Sequence, residues 1–205
     1  MPGTNLTRDE AAARAAAFTV QSYDIDLDLT TGPDTFRSVT TVKFTASSSD
    51  PGLFIDLIAP TVHEVVLNGT ALDVSEVVST ARIALPGLAD GENELRVVAD
   101  AAYMQTGEGL HRFVDPVDGE TYLYSQFEVA DARRVFACFD QPDLKSVYTW
   151  TVKAPSHWHV VTVASEVEPE PAGNSTSVWR FRPTELMSPT SPRWSPVPIT
   201  GSPTS

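Results

Sequence analysis

Apolar and polar residues alternate strictly from Tyr23 to Leu29, and three aspartates occupy the polar positions. A period of two puts the apolar side chains on one face of a β-strand and the carboxylates on the other. Carboxylates in such a row lie about 7 Å apart, whereas Ca²⁺ needs oxygen ligands that converge from a loop. We therefore interpret the aspartates as a solvated strand face and not as a calcium site.

Further short segments with strand-like patterns follow at close spacing, and turn residues separate them. The turn Asn68-Gly69 is the strongest short hairpin signal. The remaining predicted strands are 36–46, 53–58, 62–67, 71–74, 82–85, 94–99, 121–127, 148–153, 160–164 and 177–181. Many short strands with little helix predict an all-β fold, an antiparallel β-sandwich or saddle.

Both ends of the chain differ from this body, which spans residues 18–187. Thr7 and Glu10 form a capping-box pattern, which predicts a short surface helix over 7–17 in an N-terminal extension, residues 1–17. Five of the 18 residues in 188–205 are proline and none is acidic, so neither a helix nor a central strand can form there. We expect a disordered tail whose abrupt change of composition fits a frameshift. A natural Pro-rich linker is the alternative.

Charge and composition narrow the functional classes. The 205 residues carry 14 basic and 27 acidic side chains, a net charge of −13. This field repels phosphates, so we expect neither a nucleic acid nor an anionic membrane surface as partner. It does not repel a cation, and a free amine is the simplest cationic substrate group.

The N-terminus and the cysteine content bear on the compartment. Arg14 interrupts the Ala-rich N-terminal stretch, so no secretion signal is predicted, and no run approaches the roughly 18 apolar residues of a membrane span. The single cysteine, Cys138, excludes an internal disulfide framework. It lies in an apolar run, which favours a buried, inert thiol. We expect a cytoplasmic protein.

The histidines do not form a recognisable metal site. The segment that starts at His63 begins like the zinc motif H-E-x-x-H, but Leu67 replaces the second histidine and the motif requires a helix. His157 and His159 lie two residues apart on a strand without an acidic ligand nearby in sequence, so we interpret them as an exposed pair. His111 lies in a predicted loop with no identifiable partner.

Two polar residues flank Phe127 at the end of a predicted strand. If Phe127 faces the core, Gln126 and Glu128 point together to the opposite face. A carboxylate beside a carboxamide is a good receptor for an ammonium group, because one supplies charge and the other a directed acceptor. An ordinary solvated pair is the alternative.

The chain around and after this pair resembles a known family. The matching positions are Gln126-Phe127-Glu128, Ala132-Arg133, Phe136, Cys138-Phe139-Asp140, Pro142 and Lys145. Together they resemble the Q-x-E, Ala-Arg and F-P-C-F-D-x-P motifs in the N-terminal domain of the aminopeptidase N family, the zinc gluzincin aminopeptidases. Ala137 departs from the usual proline. Segments 23–29, 36–44, 57–69 and 109–112 fit the same domain, so the resemblance covers about residues 18–187.

The resemblance implies a β-saddle that packs against a thermolysin-like catalytic domain, which these residues do not include. It implies that Glu128 pairs with the free α-amine of a peptide N-terminus and that Gln126 lines the first substrate subsite. The family's zinc-binding H-E-x-x-H helix does not occur in the 205 residues. We therefore expect zinc in the full-length parent but none bound by this chain, and no catalytic residue in it.

We interpret the chain as the substrate-anchoring N-terminal domain of a metallo-aminopeptidase, present as a fragment that is inactive alone. Two alternatives stay open. The chain could be a stand-alone β-sandwich interaction module, or it could belong to a non-catalytic family member.

Overall fold

The computed structural model describes residues 5–47, 52–164, 166–192 and 194–198. Within these ranges the helices are α1 (Arg8–Ala17), α2 (Val74–Val77) and a 3₁₀ helix (Ala132–Arg134). The strands are β1 Phe18–Asp28, β2 Thr35–Ala46, β3 Phe54–Asp56, β4 Thr61–Leu67, β5 Thr70–Ala71, β6 Arg82–Ala84, β7 Gly91–Ala102, β8 Gly109–Val114, β9 Thr121–Gln126, β10 Val147–Pro155, β11 Trp158–Thr162, β12 Glu170–Gly173, β13 Thr176–Arg180 and β14 Trp194–Pro198. The predicted all-β class is confirmed. None of the helices in the described ranges is long and apolar enough to cross a membrane.

Eight of the described strands form one large sheet in the order β12-β13-β10-β1-β2-β7-β4-β5. β1 and β10 pair in parallel, whereas the other described pairings of this sheet are antiparallel. The parallel pair is possible because a long stretch of chain separates the two strands. Three two-stranded sheets, β3-β6, β8-β9 and β11-β14, complete the described β-structure.

The alternation in β1 positions the core as the sequence predicts. Tyr23, Ile25 and Leu27 are buried, and the intervening aspartates lie on the opposite face of the strand. The ring of Tyr23 stacks on Tyr148 of β10 at a centroid distance of 5.0 Å. Its hydroxyl accepts a hydrogen bond from the backbone N–H of Phe139 at 3.0 Å. The core therefore ties β1 directly to the segment that carries the family-like motif.

Helix α1 begins as predicted but is not only a surface helix. The Thr7 hydroxyl accepts from the Glu10 N–H at 3.2 Å, and the Glu10 carboxylate accepts from the Thr7 N–H at 2.9 Å. The two bonds form the capping box. On the inner side of the helix, however, Arg14 is buried and pairs with Asp56 at 2.5 Å. The surface assignment is wrong for this residue because its partner lies on β3, far away in sequence.

The structure corrects the predicted elements at three further segments. Residues 109–113, the loop predicted around His111, lie within β8, which pairs with β9. Of residues 71–74, expected to be a strand, only Ala71 lies in one, β5. Asp73 caps α2 by accepting from the Ser75 N–H at 2.9 Å, and Val74 begins that helix. Glu170–Gly173 forms an edge strand that the sequence pattern did not predict.

The described part of the tail contains strand β14, Trp194–Pro198, which pairs antiparallel with β11. Proline is tolerated in such a two-stranded edge arrangement, whereas a central strand, which the sequence excluded, would lose ladder hydrogen bonds. The disorder predicted for 188–205 does not extend to this strand. For residues 193 and 199–205, the prediction lies outside the described residues.

Candidate functional site

The two predicted site residues lie where β9 ends and the chain turns. Phe127 is buried, and its ring packs edge-on against Phe136 at a centroid distance of 5.9 Å. Gln126 is half-buried and Glu128 is exposed. The buried ring therefore fixes the turn to the core while both polar residues lie outside it.

A hydrogen bond links the two residues. The side-chain oxygen of Gln126 accepts from the backbone N–H of Glu128 at 3.3 Å. A carbonyl oxygen has two lone pairs and can accept a second hydrogen bond. Among the described residues, no basic side chain pairs with Glu128, and no donor is bonded to its carboxylate. The turn thus presents an unpaired carboxylate beside an oriented amide.

On the 3₁₀ helix that follows, the side chain of Arg134 bonds to residues on both sides of the hairpin and turn. Its Nε donates to Asp131 at 2.7 Å, and its Nη2 lies 3.2 Å from the Glu108 carboxylate. The Asp131 N–H donates back to the carbonyl of Phe127 at 3.3 Å. The loop that carries Glu128 is therefore tied to the residues immediately before β8.

Gly109 allows this close approach. It is paired with Gln126 across the β8-β9 hairpin and has a φ of +57°. A Cβ added here would lie 2.8 Å from the Cβ of Arg134, closer than side-chain atoms pack. The left-handed backbone and the lack of space both require glycine at this position.

A buried polar network supports the turn from the other side. Arg133 donates from its backbone N–H to Asp140 at 3.1 Å and from Nε to the carbonyl of Ala130 at 2.9 Å. The Asp140 N–H donates in turn to Asp56, the partner of Arg14, at 3.1 Å. Burial raises the pKa of the Asp140 carboxyl to about 6, although the hydrogen bond from Arg133 opposes the shift.

The predicted strand position of His63 and the predicted burial of Cys138 are confirmed. His63 lies on β4 and not on a helix, and its Nε2 is 2.7 Å from the Asp100 carboxylate. Cys138 is completely buried, and this burial raises the pKa of its thiol well above the ordinary value. A neutral thiol without solvent access is unreactive.

The expected exposed pair on one strand is only partly right, because His157 is exposed in the turn before β11, whereas His159 lies on β11 and is half-buried. Each has an acidic neighbour that the sequence did not reveal: Glu120 at 3.6 Å from His157 and Glu166 at 3.5 Å from His159. In the part of the chain that the structure describes, no three His, Cys, Asp or Glu side chains come together in a group that could hold a metal ion. The described residues therefore do not fit the zinc of the resembled family.

His111 is the candidate whose surroundings were mispredicted. It lies on β8, stacks on Tyr124 at a centroid distance of 4.6 Å, and accepts from the Gly107 N–H at 3.1 Å. The same stretch contains Glu108 and Gly109, whose contacts with the turn the sequence analysis missed. One signal was available: a glycine at the start of a strand often marks a close backbone approach.

Comparisons with known proteins give a consistent result. A family model described as the peptidase M1 N-terminal domain matches residues 19–190. The chain is 61% identical over 190 residues to Aminopeptidase N of Streptomyces lividans, an alignment that covers 92% of this chain and 22% of that protein. It is 28% identical over 176 residues to Aminopeptidase N of Acetobacter pasteurianus, which covers 82% of this chain and 47% of that protein.

A plant relative matches a shorter stretch. Aminopeptidase M1-A of Oryza sativa subsp. japonica is 32% identical over 100 residues, 48% of this chain and 11% of that protein. The chain therefore spans between about a tenth and a half of the lengths of these relatives.

Proposed function

Because this chain belongs to the peptidase M1 N-terminal domain family, we propose that it is the substrate-anchoring domain of a zinc aminopeptidase that removes N-terminal residues from peptides. In this proposal Glu128 pairs with the free α-ammonium group of the peptide, and Gln126 lines the first substrate subsite. The catalytic residues and the zinc ligands belong to another part of the parent protein.

The observation that carries the proposal is the unpaired carboxylate of Glu128 on a turn fixed to the core. An ammonium group that reaches this turn exchanges its water shell for the carboxylate and a second acceptor, the oxygen of Gln126. A peptide with a blocked N-terminus brings no positive charge, so the desolvated carboxylate is left without a partner. The penalty falls only on ligands that lack a free amine.

The second part of the proposal concerns the partner of this surface. Exposed large apolar side chains are concentrated on the β8-β9 hairpin and the turn: Phe113, Val114, Val117, Tyr124 and Val129. Exposed apolar side chains on one hairpin are a feature of many protein contact surfaces. We propose that the catalytic domain packs here, which would bring Glu128 to the edge of the catalytic cleft.

A chimera tests the role of Glu128. Residues 5–187 of this chain would replace the aligned part of the Streptomyces lividans enzyme, and kcat/KM would be measured with an aminoacyl-p-nitroanilide. We expect Glu128→Ala to lower kcat/KM by the equivalent of about 2–4 kcal/mol, as for the loss of one partner of a desolvated ion pair. Glu76→Ala removes an exposed acid on α2 and is the matched control. An active chimera in which both variants keep the parental kcat/KM would contradict the role of Glu128.

The chain alone is a separate test. We propose that it binds no stoichiometric zinc and cleaves no aminoacyl substrate. Elemental analysis after dialysis against zinc measures the first property directly. About one tightly held zinc per chain would overturn this part of the proposal.

A further inference from the structure

Two adjacent arginines, Arg133 and Arg134, bond to the loop 127–131. Arg133 is buried and bonds to Asp140 and to the carbonyl of Ala130, so it belongs to the core. The side chain of Arg134 is 25% exposed and bonds to Asp131 and Glu108, so it belongs to the surface that carries Glu128. The fold requires the first arginine, whereas the second has no role in the core.

The contacts of Arg134 have a consequence for Glu128. A guanidinium group on the helix after an acidic turn is itself a candidate partner for the acid, and such an internal pair would compete with a cationic ligand. Asp131 and Glu108 occupy this guanidinium at 2.7 and 3.2 Å. The close contact at Gly109 fixes the base of the same side chain, because the glycine packs against the Arg134 Cβ.

We propose that Arg134, clamped by Asp131 and Glu108, is a positioning residue that orders the turn and keeps Glu128 unpaired for the substrate ammonium. This inference rests on the proposed function. It assigns a joint role to Asp131 and Glu108, which occupy the guanidinium group of Arg134 and so leave the carboxylate of Glu128 available. Gly109 provides the space in which the clamp closes.

The test uses the same chimera and a pair of competitive inhibitors, leucinamide and its 2-hydroxy analogue. The analogue replaces the ammonium group with a hydroxyl, so the ratio of the two inhibition constants reports recognition of the charge. The double variant Glu108→Gln with Asp131→Asn releases Arg134 but leaves its charge in place. We expect it to weaken leucinamide binding about tenfold, since a misplaced binding group commonly costs one to two orders of magnitude. Binding of the hydroxy analogue should not change.

Three further variants make each outcome informative. Arg134→Ala should weaken leucinamide binding because the loop loses its tie, and Arg134→Lys should restore part of the loss. Arg96→Ala breaks an exposed ion pair with Glu64 on another part of the sheet and should leave both constants unchanged. A merely structural role for Arg134 would change both inhibition constants equally, or lower the thermal midpoint without a change in their ratio, and either result would overturn the proposal.

Glu128→Gln, measured alongside, separates this inference from the proposed function. If Glu128→Gln does not change the ratio of inhibition constants, the ammonium site itself is wrong. If Glu128→Gln raises the ratio of the leucinamide constant to that of the hydroxy analogue but neither the double variant nor Arg134→Ala does, only the positioning role is wrong. Should Arg134→Ala fail to fold, the double variant and Arg134→Lys decide the question.

Discussion

The turn 126–130 and the block 132–145 are adjacent in sequence, yet key charged residues of the two regions have opposite environments. In the block, Arg133 and Asp140 are buried and each is bonded to a defined partner. On the turn, Glu128 is exposed, and no described cation pairs with it. The charges of Arg133 and Asp140 are therefore part of the fold, whereas the charge of Glu128 has no partner among the described residues that would explain it.

This contrast separates stability from binding. A buried charge that loses its partner costs several kcal/mol, because the remaining group is desolvated without compensation. An exposed unpaired charge can be removed at almost no cost to folding. The two regions should consequently respond to substitution in different assays, and the following predictions test this difference in order of decreasing effect.

The largest effect is expected at the ion pair of Arg14 and Asp56, which bonds to the block through the Asp140 N–H. Asp56→Ala leaves Arg14 buried without its partner and removes the acceptor of the Asp140 N–H. We expect a loss of about 3–5 kcal/mol in the free energy of unfolding, measured by urea denaturation of the chain. The double variant Arg14→Leu with Asp56→Leu removes both charges and should be less destabilised than Asp56→Ala. If the double variant is the less stable of the two, the ion pair is not the source of the effect.

Asp140 should make the stability of the block depend on pH. Its carboxyl has a pKa of about 6 in the folded chain against an ordinary value of 3.8, so the folded state binds the proton more tightly than the unfolded state. Stability from this group is therefore present at low pH and falls as the pH rises from about 4 to about 6. We expect the free energy of unfolding of the parent, relative to Asp140→Asn, to fall by about 2–3 kcal/mol over this interval.

The comparison with Asp140→Asn is needed because another carboxyl acts in the opposite direction. Hydrogen bonds from Arg82 and Thr7 lower the pKa of Glu10 to about 2, so its contribution is lost as the pH falls below about 4.5. That contribution is common to the parent and the variant and cancels in their difference. Parallel stability curves for the two proteins between pH 4 and 7 would exclude the role of Asp140.

Gly109 lies at the boundary between the two regions. Gly109→Ala introduces a Cβ at 2.8 Å from Arg134 and forces a side chain into a left-handed backbone. We expect a destabilisation of about 1–3 kcal/mol in urea denaturation. Gly87 also has a positive φ but has open space around it. Gly87→Ala therefore controls for backbone strain alone, and an equal loss at both positions would show that the contact with Arg134 is unimportant.

The smallest effect on folding is expected on the turn itself. Glu128→Gln keeps the shape of the side chain and removes its charge. Because no described residue pairs with this carboxylate, the free energy of unfolding should change by no more than about 0.5 kcal/mol. A loss above about 2 kcal/mol in urea denaturation would mean that Glu128 has a structural role, and the contrast between the regions would fail.

The sequence predicts the parts of the fold that depend on local pattern. The alternation at Tyr23–Leu29 and the capping box at Thr7 both lead to the observed elements, because each signal lies within a few residues. The burial of Phe127 follows from the same period of two. The parallel pairing of β1 with β10 could not be derived in this way, because strand neighbours depend on contacts between distant segments.

The candidate site shows the same limit. Gln126 and Glu128 could be proposed as a pair because only Phe127 separates them in sequence. The contact between Arg134 and Glu108 could not be identified from the sequence, because the two residues come together only after the β8-β9 hairpin has formed. The buried position of Arg14 was missed for the same reason, since an arginine in an Ala-rich helix shows no sign of a partner on β3.

The central claim is that Glu128 is present to bind an ammonium group. The most direct measurement is the ratio of the inhibition constants of leucinamide and its 2-hydroxy analogue in the chimera, with and without Glu128→Gln. We predict that the variant weakens leucinamide binding at least about tenfold, as expected for the loss of a charged hydrogen bond of about 1.4 kcal/mol or more, and leaves the hydroxy analogue unaffected. An unchanged ratio in a folded, active chimera would contradict the claim.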